Sequence, residues 1–434
     1  MTKPFVAIAL ATLCAAATSS AQSMFRGDAV HSGVSSSAGP RALHGVKWKF
    51  ATGSRVVSSA VFHNGVLFFG SDDGNLYAVD STTGRQKWKY VTEGPVPATP
   101  AVSGGLVYFG SYDGRFYALE ASTGKLRWKF RTGGERRFEG KGLHGMQPAS
   151  QTFPDPYDVY LSSPVVAAGL VYFGSGDGNV YALDADSGAQ RWKFHTGDVV
   201  HASPAYANGK LYFGSWDSFF YAVDAATGAE KWRFHGGEDP IVHNQVGFQS
   251  SPTVVNGTVY TGCRDSNVYA LDAETGQEKW RVYNEGSWVI TSPVVVNDRL
   301  LYATSDSSLF HAVEAATGKP VFHQQAKAYM FSSPTVAGNT VYLGVLNGTL
   351  DARDLTTGDL LWTFQTDASR KNRNWVLTAD GKFNAPMAFP TNWNEAGTLG
   401  ALEQFGSGSI FATPLVVDGV VYVGSTDGYL YALE

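Results

Sequence analysis

The chain has 434 residues, with 33 lysines and arginines against 38 aspartates and glutamates, and its formal net charge is −5. The basic residues form no cluster, which excludes the charged footprint typical of a nucleic-acid-binding surface. Its 49 glycines and its aromatic content of 13% indicate an all-β protein with many tight turns and large core side chains.

The first 21 residues have the pattern of a secretion signal. Lys3 supplies a positive charge, a short apolar run follows, and small residues precede a cleavage site after Ala21. The apolar run is shorter than the roughly 17 residues that span a membrane. Leu13 ahead of Cys14 argues against a lipoprotein signal, which needs a small residue there. We therefore predict a periplasmic or secreted protein that has no transmembrane segment after cleavage and whose only cysteine is Cys263.

A unit like residues 162–196 recurs eight times along the chain, the last copy cut short. Each copy shows four short strands separated by turns such as Asp-Gly, Thr-Gly and Ser-Gly. One copy cannot bury its own faces, so the copies must pack against one another in a closed ring. The sequence predicts an all-β, eight-bladed β-propeller of four-stranded blades. Seven blades are the alternative if the weak sixth copy is not a blade.

The two ends of the repeat region complement each other. Residues 47–52 resemble an outer strand with no repeat before it, and residues 412–434 hold three strands and stop before the fourth. We predict that the N-terminal strand completes the last blade, because this removes two open sheet edges. Residues 22–44 are then a polar lead-in without a period, and residues 45–434 are a single propeller.

A tryptophan in the outer strand is the most regular feature of the repeat. It falls four residues after a glycine in most copies, and Phe322 replaces it in the sixth. We interpret these rings as packing between blades rather than as a cofactor site. They are Trp48, Trp88, Trp128, Trp192, Trp232, Trp280 and Trp362.

Four segments, at residues 78–88, 118–128, 182–192 and 270–280, resemble the tryptophan-docking repeat of pyrroloquinoline-quinone (PQQ) propellers. The repeat covers almost all of the predicted mature chain. The resemblance implies a family that contains periplasmic quinoprotein alcohol dehydrogenases, a propeller lipoprotein of the outer-membrane β-barrel assembly machine, and exported propellers without an assigned function.

Three long insertions follow outer strands, at residues 133–160, 236–249 and 367–408. Because strand direction alternates, they share a face with the turns between second and third strands, which we name the top face. Insertions on one face of a repeat protein mark its binding face. The third insertion is one repeat long but lacks the repeat's proline start and tryptophan finish. We therefore predict a lid with a hairpin at Asp380-Gly381 rather than a ninth blade.

Several side chains on the top face are candidate ligand or partner contacts. The first insertion contributes Arg136, Arg137, His144 and Tyr160. Four tryptophans outside the docking position also map there, and they suit a flat ligand, a sugar or a partner's side chains. The alternative is that long loops need a small core of their own. These tryptophans are Trp216, Trp288, Trp375 and Trp393.

His201 and Gln249 interrupt a position that is apolar in most blades, three residues before the inner-strand proline. With His144 and His243 they predict a polar pocket around blades 3 to 5. The alternative is that His201 and Gln249 are buried side chains satisfied by the backbone. No histidine pair has the close spacing of metal ligands, so we predict no metal site. Cys263 is predicted to be an inert buried thiol.

The sequence favours an exported, monomeric, non-catalytic propeller that binds a protein partner or a small ligand on its top face. The dehydrogenases that the repeat resembles hold PQQ against a disulfide of adjacent cysteines, with calcium and an aspartate base. The single remaining cysteine does not match that feature, and no Cys-x-x-Cys-His haem motif is present. We therefore predict neither PQQ nor calcium. A PQQ-dependent oxidoreductase and a saccharide-binding propeller remain the alternatives.

Overall fold

The computed structural model describes residues 22–146, 148–238, 247–372, 375–384, 387 and 406–434. Eight four-stranded antiparallel blades form a ring around one axis, which confirms the predicted propeller. The sixth copy is a complete blade, so the seven-bladed alternative is wrong. No helix within the described ranges has the length and apolarity needed to cross a membrane.

The strands of each blade are given from the axis outwards. Those of blades 1 to 4 are Val61–His63, Val66–Gly70, Asn75–Asp80 and Gln86–Val91; Ala101–Ser103, Leu106–Ser111, Arg115–Glu120 and Leu126–Arg131; Val165–Ala167, Leu170–Gly174, Asn179–Asp184 and Gln190–His195; and Ala205–Ala207, Lys210–Gly214, Phe219–Asp224 and Glu230–His235. Those of blades 5 to 8 are Thr253–Val255, Thr258–Gly262, Asn267–Asp272 and Glu278–Tyr283; Val294–Val296, Arg299–Ala303, Leu309–Glu314 and Pro320–Gln325; Thr335–Ala337, Thr340–Val345, Thr349–Asp354 and Leu360–Gln365; and Leu415–Val417, Val420–Gly424, Tyr429–Leu433 and Val46–Ala51.

The last blade is completed by the N-terminal strand. Val46–Ala51 pairs antiparallel with Tyr429–Leu433, and Trp48 stands opposite Ala432 in the register. The ring is therefore closed by hydrogen bonds between the two ends of the chain, as the complementary fragments predicted. Closure removes both free edges, which would otherwise be open to pairing with another chain.

The seven outer-strand tryptophans lie between neighbouring blades. Each indole N–H donates to a backbone carbonyl of the next blade, or of the segment that leads into it, at 3.0–3.1 Å. Six of the rings, all except that of Trp362, also cover the glycine of the neighbouring outer turn. At Gly188, where φ is 73°, an added Cβ would lie 2.6 Å from the Trp128 ring. This close approach explains why glycine and tryptophan recur together.

In blades 1 to 5, the aspartate of the top turn has a role beyond the turn itself. Its carboxylate accepts the backbone N–H of the loop that leaves the preceding blade, as Gly53 donates to Asp73 at 2.8 Å and Gly133 to Asp177 at 2.6 Å. The sequence predicted only that Asp-Gly would supply positive φ. The same contact between blades recurs at Asp113, Asp217 and Asp265.

The lead-in lies inside the ring, at the end of the axis opposite the top face. Five of its carbonyls accept N–H groups from the inner strands of blades 1, 2, 4, 5 and 7, at 2.7–3.1 Å. Val34–Ser35 also pairs in parallel with Thr335–Ala337, as a fifth strand of blade 7. The polar composition of the lead-in did not predict this path. The five donors are Phe62, Val102, Tyr206, Val254 and Val336.

The described parts of the insertions contact the top turns. The first forms a hairpin of Glu139–Lys141 with Thr152–Pro154, joined through a 3₁₀ turn at Leu143–Gly145. The third begins with a short α-helix, Asp367–Lys371, and contains a bridge between Leu377 and Phe383 around Asp380-Gly381. Most of the second insertion, residues 239–246, lies outside the described residues.

Candidate functional site

A ring of eight hydroxyl side chains surrounds the axis, one from the head of each inner strand. Seven hydrogen bonds of 2.8–3.2 Å run from a backbone N–H of one blade to the hydroxyl of its neighbour. Phe25 of the lead-in and Tyr160 of the first insertion also line the axis, which encloses a cavity of about 40 Å³. Such a space holds a few water molecules but not a sugar or a quinone. The ring consists of Ser59, Thr99, Ser163, Ser203, Ser251, Ser292, Ser333 and Thr413.

Tyr160 closes the axis on the top face. Its hydroxyl lies 3.1 Å from the carbonyl oxygen of Phe331 and 3.2 Å from that of Phe411. Burial raises the pKa of Tyr160, so the phenol stays protonated and remains a donor. The first insertion therefore extends from blade 2 across the axis to blades 7 and 8.

A buried arginine fixes the insertion over blades 4 to 6. The Arg264 guanidinium is fully buried, donating from Nη1 to Asp155 at 2.6 Å and from Nε to Gln249 at 2.9 Å. It lies between two indole rings, 4.3 Å from the centre of Trp216 and 4.2 Å from that of Trp288. Cation–π contacts of this kind strengthen when water is excluded.

Asp155 connects Arg264 to the rest of the first insertion. Its carboxylate also lies 3.1 Å from Nε2 of His144 and accepts the backbone N–H of Tyr157 at 2.8 Å. Burial alone would raise the pKa of Asp155, but Arg264 and His144 outweigh that effect and hold it well below its ordinary value. Asp155 is therefore an ionised acceptor, and the His144 ring packs edge-on against Trp288.

His201 makes a second buried charge pair with the same insertion. Its Nδ1 lies 2.7 Å from Asp158, and its Nε2 lies 3.9 Å from Glu135. Burial alone would lower the pKa of His201, but these two carboxylates raise it to about 9. The imidazole is thus positively charged at neutral pH. Together with Arg264, it anchors the insertion through buried charges rather than forming an open site.

The structure brings together six of the predicted contact residues and separates others. His144, Tyr160, His201, Trp216, Gln249 and Trp288 all lie in or around the cluster beneath the first insertion. Trp216 and Trp288 are 4% and 6% exposed, and Phe138 stacks on Trp216 at 4.3 Å. Their ring faces are therefore covered by the protein itself. His201 and Gln249 are buried, as the alternative to a polar pocket held, but their partners are mainly the side chains of Asp158 and Arg264 rather than the backbone. Gln249 also donates to the Tyr157 carbonyl.

The remaining candidates lie elsewhere. Arg136 is exposed and pairs with Asp198 at 2.7 Å, and Arg137 is half-buried beside it. Trp375, in the third insertion, is 73% exposed. His243 and Trp393 lie outside the described residues. Cys263 is fully buried, and burial raises the pKa of its thiol well above the ordinary value.

Sequence reasoning missed Arg264, Asp155 and Asp158. A signal for Arg264 was present, because it occupies the variable position before the top-turn aspartate, and only blade 5 places a basic residue there. Nothing marked Asp155 and Asp158, since the irregular first insertion has no repeat to compare with. Their partners are also far away, with 109 positions separating Asp155 from Arg264.

The described residues do not fit the quinone and calcium site of the dehydrogenases that the repeat resembles. Cys263 has no adjacent cysteine, and the Arg264 cluster fills the space beneath the first insertion. In the described part of the chain, no group of three or more His, Cys, Asp and Glu side chains could hold a metal ion.

Two kinds of similarity to known proteins agree with this architecture. The chain is 26% identical over 152 residues to the outer membrane protein assembly factor BamB of Shewanella oneidensis, a match that spans 31% of this chain and 38% of that protein. The fold matches BamB from Moraxella catarrhalis with a TM-score of 0.66 at 16% identity, covering 91% of this chain and all of that one.

A europium-containing methanol dehydrogenase matches with a TM-score of 0.68 at 15% identity, covering 95% of this chain and 98% of that one. At such identities the structural matches show the shared fold alone. The family model described as outer membrane protein assembly factor BamB matches residues 35–152, 147–282 and 264–382. Because these matches extend over most of the repeats, the chain belongs to the BamB family of PQQ-type propellers.

Proposed function

We propose that this chain is an exported, non-catalytic propeller that binds a protein partner through its top face. The observation that carries the proposal is that the axis is closed by Tyr160 beneath a top face built from three insertions. The axial cavity of about 40 Å³ is too small for an organic ligand, and Arg264 occupies the space between Trp216 and Trp288. Binding is therefore assigned to the outer surface of the insertions.

The family supports a protein as the ligand. Curated relatives in Shewanella oneidensis and Yersinia pestis are named outer membrane protein assembly factors. That name describes a role in the assembly of other proteins. The matched region spans only 38% and 42% of those relatives. We therefore carry over the general role, a periplasmic propeller that contacts proteins of outer-membrane assembly, and we assign no particular partner.

Attachment in two orientations tests the proposal. Ser122 lies in an exposed turn on the face opposite the insertions, and Glu139 is exposed in the first insertion. Protein coupled to a resin through Ser122→Cys should capture a discrete periplasmic protein, and protein coupled through Glu139→Cys should capture much less. Equal capture in both orientations, or none in either, would contradict binding through the top face.

We also propose that the protein works without PQQ or calcium. Purified protein titrated with PQQ and Ca²⁺ should show no change in the quinone absorption spectrum and no dye reduction with alcohols. Turnover in that assay would favour the oxidoreductase alternative instead.

A further inference from the structure

We infer that the third insertion presents Trp375, within a basic rim, as the anchor for an acidic segment of a protein partner. The inference rests on the proposed function and names the surface and the partner's chemistry. Trp375 is 73% exposed, more than any other large apolar side chain among the described residues. A single exposed tryptophan of this kind is typical of the central contact in a protein interface.

The backbone that carries Trp375 is held in one conformation. Its φ of 54° lies in the left-handed region, which costs free energy for a bulky residue and persists where surrounding contacts enforce it. Its N–H donates to the carbonyl of Asn372 at 3.1 Å, and its own carbonyl accepts from the Asn384 side chain at 3.1 Å. Asn372 also exchanges two side-chain hydrogen bonds with the backbone of Leu377.

The residues after Trp375 anchor this segment to the propeller. Val376 and Leu377 are 3% and 5% exposed, so the chain turns inward directly after the exposed indole. Phe383 packs edge-on against Tyr329 in the loop between blades 6 and 7, with ring centres 5.7 Å apart. Asn347 of blade 7 donates to the Gly381 carbonyl at 2.8 Å. A rigid aromatic anchor of this kind loses little conformational entropy on binding.

Charge around the indole is opposite in sign to that of the whole chain. Arg370 and Lys382 pair with Asp367 and Asp380 within the insertion. Lys371 is exposed in the helix, Lys327 lies against Gly381, and neither forms an ion pair with a described residue. The rim therefore carries an excess of positive charge on a chain whose net charge is −5. Such a patch attracts an acidic partner and repels a basic one.

The shape beside Trp375 favours a protein over a membrane surface. A groove of about 460 Å³ lies between the helix and blade 8, and Lys371, Val376, Asp427 and Tyr429 line it. A flat lipid surface cannot enter such a groove, whereas a polypeptide can fill it.

Photocrosslinking in the full-length protein tests the inference. Trp375→p-benzoylphenylalanine keeps an aromatic side chain at the exposed position, so the fold should be unaffected. The matched control is Leu360→p-benzoylphenylalanine, because Leu360 is 50% exposed at the opposite end of blade 7. We expect a discrete protein adduct from position 375 only, joined through a peptide of net negative charge. Lys327→Glu with Lys371→Glu should lower its yield about tenfold.

The outcomes separate this inference from the proposed function. If Glu139→p-benzoylphenylalanine forms a protein adduct while position 375 does not, the top face binds a partner but the anchor is wrong. If neither position forms an adduct, both proposals fail. A basic crosslinked peptide, or a yield unchanged by the charge reversals, overturns the inference. Flotation with phosphatidylglycerol–phosphatidylcholine vesicles should not carry the protein, and flotation abolished by Trp375→Ala would make a membrane the occupant instead.

Discussion

Arg264 shows how one residue governs the top of the propeller. Its guanidinium charge is buried. Asp155, Gln249 and two indole rings, all from separate parts of the chain, stabilise that charge. Removing one member of a buried ion pair is costly because the other is left as an uncompensated charge. Replacing both members with apolar groups of similar volume costs far less.

Asp155→Ala should therefore lower the free energy of unfolding by about 3–5 kcal/mol, whereas Asp155→Leu combined with Arg264→Met should lower it by less. Denaturant unfolding followed by fluorescence measures both. The control is Arg191→Met, which breaks an exposed pair with Asp184 and should cost less than about 1 kcal/mol. A similar loss for Asp155→Ala and Arg191→Met would show that burial of the pair contributes nothing.

His201 should make stability fall at alkaline pH. Its pKa of about 9 in the folded protein lies above the ordinary value of 6.5. The stabilisation from the charged imidazole is therefore complete below about pH 6.5 and is lost as the pH rises towards 9. The free energy of unfolding should fall by at most roughly 3 kcal/mol over that range. Melting temperatures between pH 6 and 9.5 should show this fall, and His201→Gln should flatten it. If the melting temperature of His201→Gln falls as steeply with pH as that of the unchanged protein, the titrating group is not His201.

At the scale of elements, the lead-in behaves as part of the ring rather than as a tail. It binds inner strands of five blades, and its buried side chains Arg26 and His31 reach the carbonyls of three inner-strand prolines. Burial lowers the pKa of His31 to about 4, and the nearby Arg26 adds to that effect. His31 is therefore neutral, and its protonation must disturb the lead-in.

Acidification should consequently loosen the lead-in. Because the folded pKa of His31 lies below the ordinary 6.5, its stabilisation is present above that pH and is lost as the pH falls towards 4. Protection from amide hydrogen exchange should fall by about two orders of magnitude at the N–H groups bonded to the lead-in, after correction for intrinsic rates. The inner-strand amides of Phe62 and Val336 report this change. His31→Gln should remove the pH dependence, and retained dependence would exclude His31.

At the scale of the whole molecule, the two N-terminal elements have different tasks. The lead-in binds the inner strands at one end of the axis, whereas Val46–Ala51 completes blade 8. Pro40 lies between them and accepts hydrogen bonds from Trp362 and Tyr342. The lead-in can therefore be removed without the closing strand, and the two contributions can be separated.

Deletion of residues 22–39 should leave a monomeric but less stable ring, because the closing strand is retained. Deletion of residues 22–51 should leave the edge of Tyr429–Leu433 unpaired, and the protein should associate or aggregate through it. Size-exclusion chromatography with light scattering measures both. A stable monomer after the longer deletion would show that closure by the N-terminal strand is dispensable.

The sequence by itself determined the ring. Strand alternation, Asp-Gly turns and a tryptophan four residues after a glycine are local patterns that can be read from the sequence. Because they repeat, each blade can bury its faces only by packing against its neighbours in a ring. The complementary ends also predicted closure. Only the tertiary structure decided that Arg264 lies between Trp216 and Trp288, and that the lead-in circles the axis. Those contacts join residues far apart in the chain, each pair occurs once, and no periodicity records them.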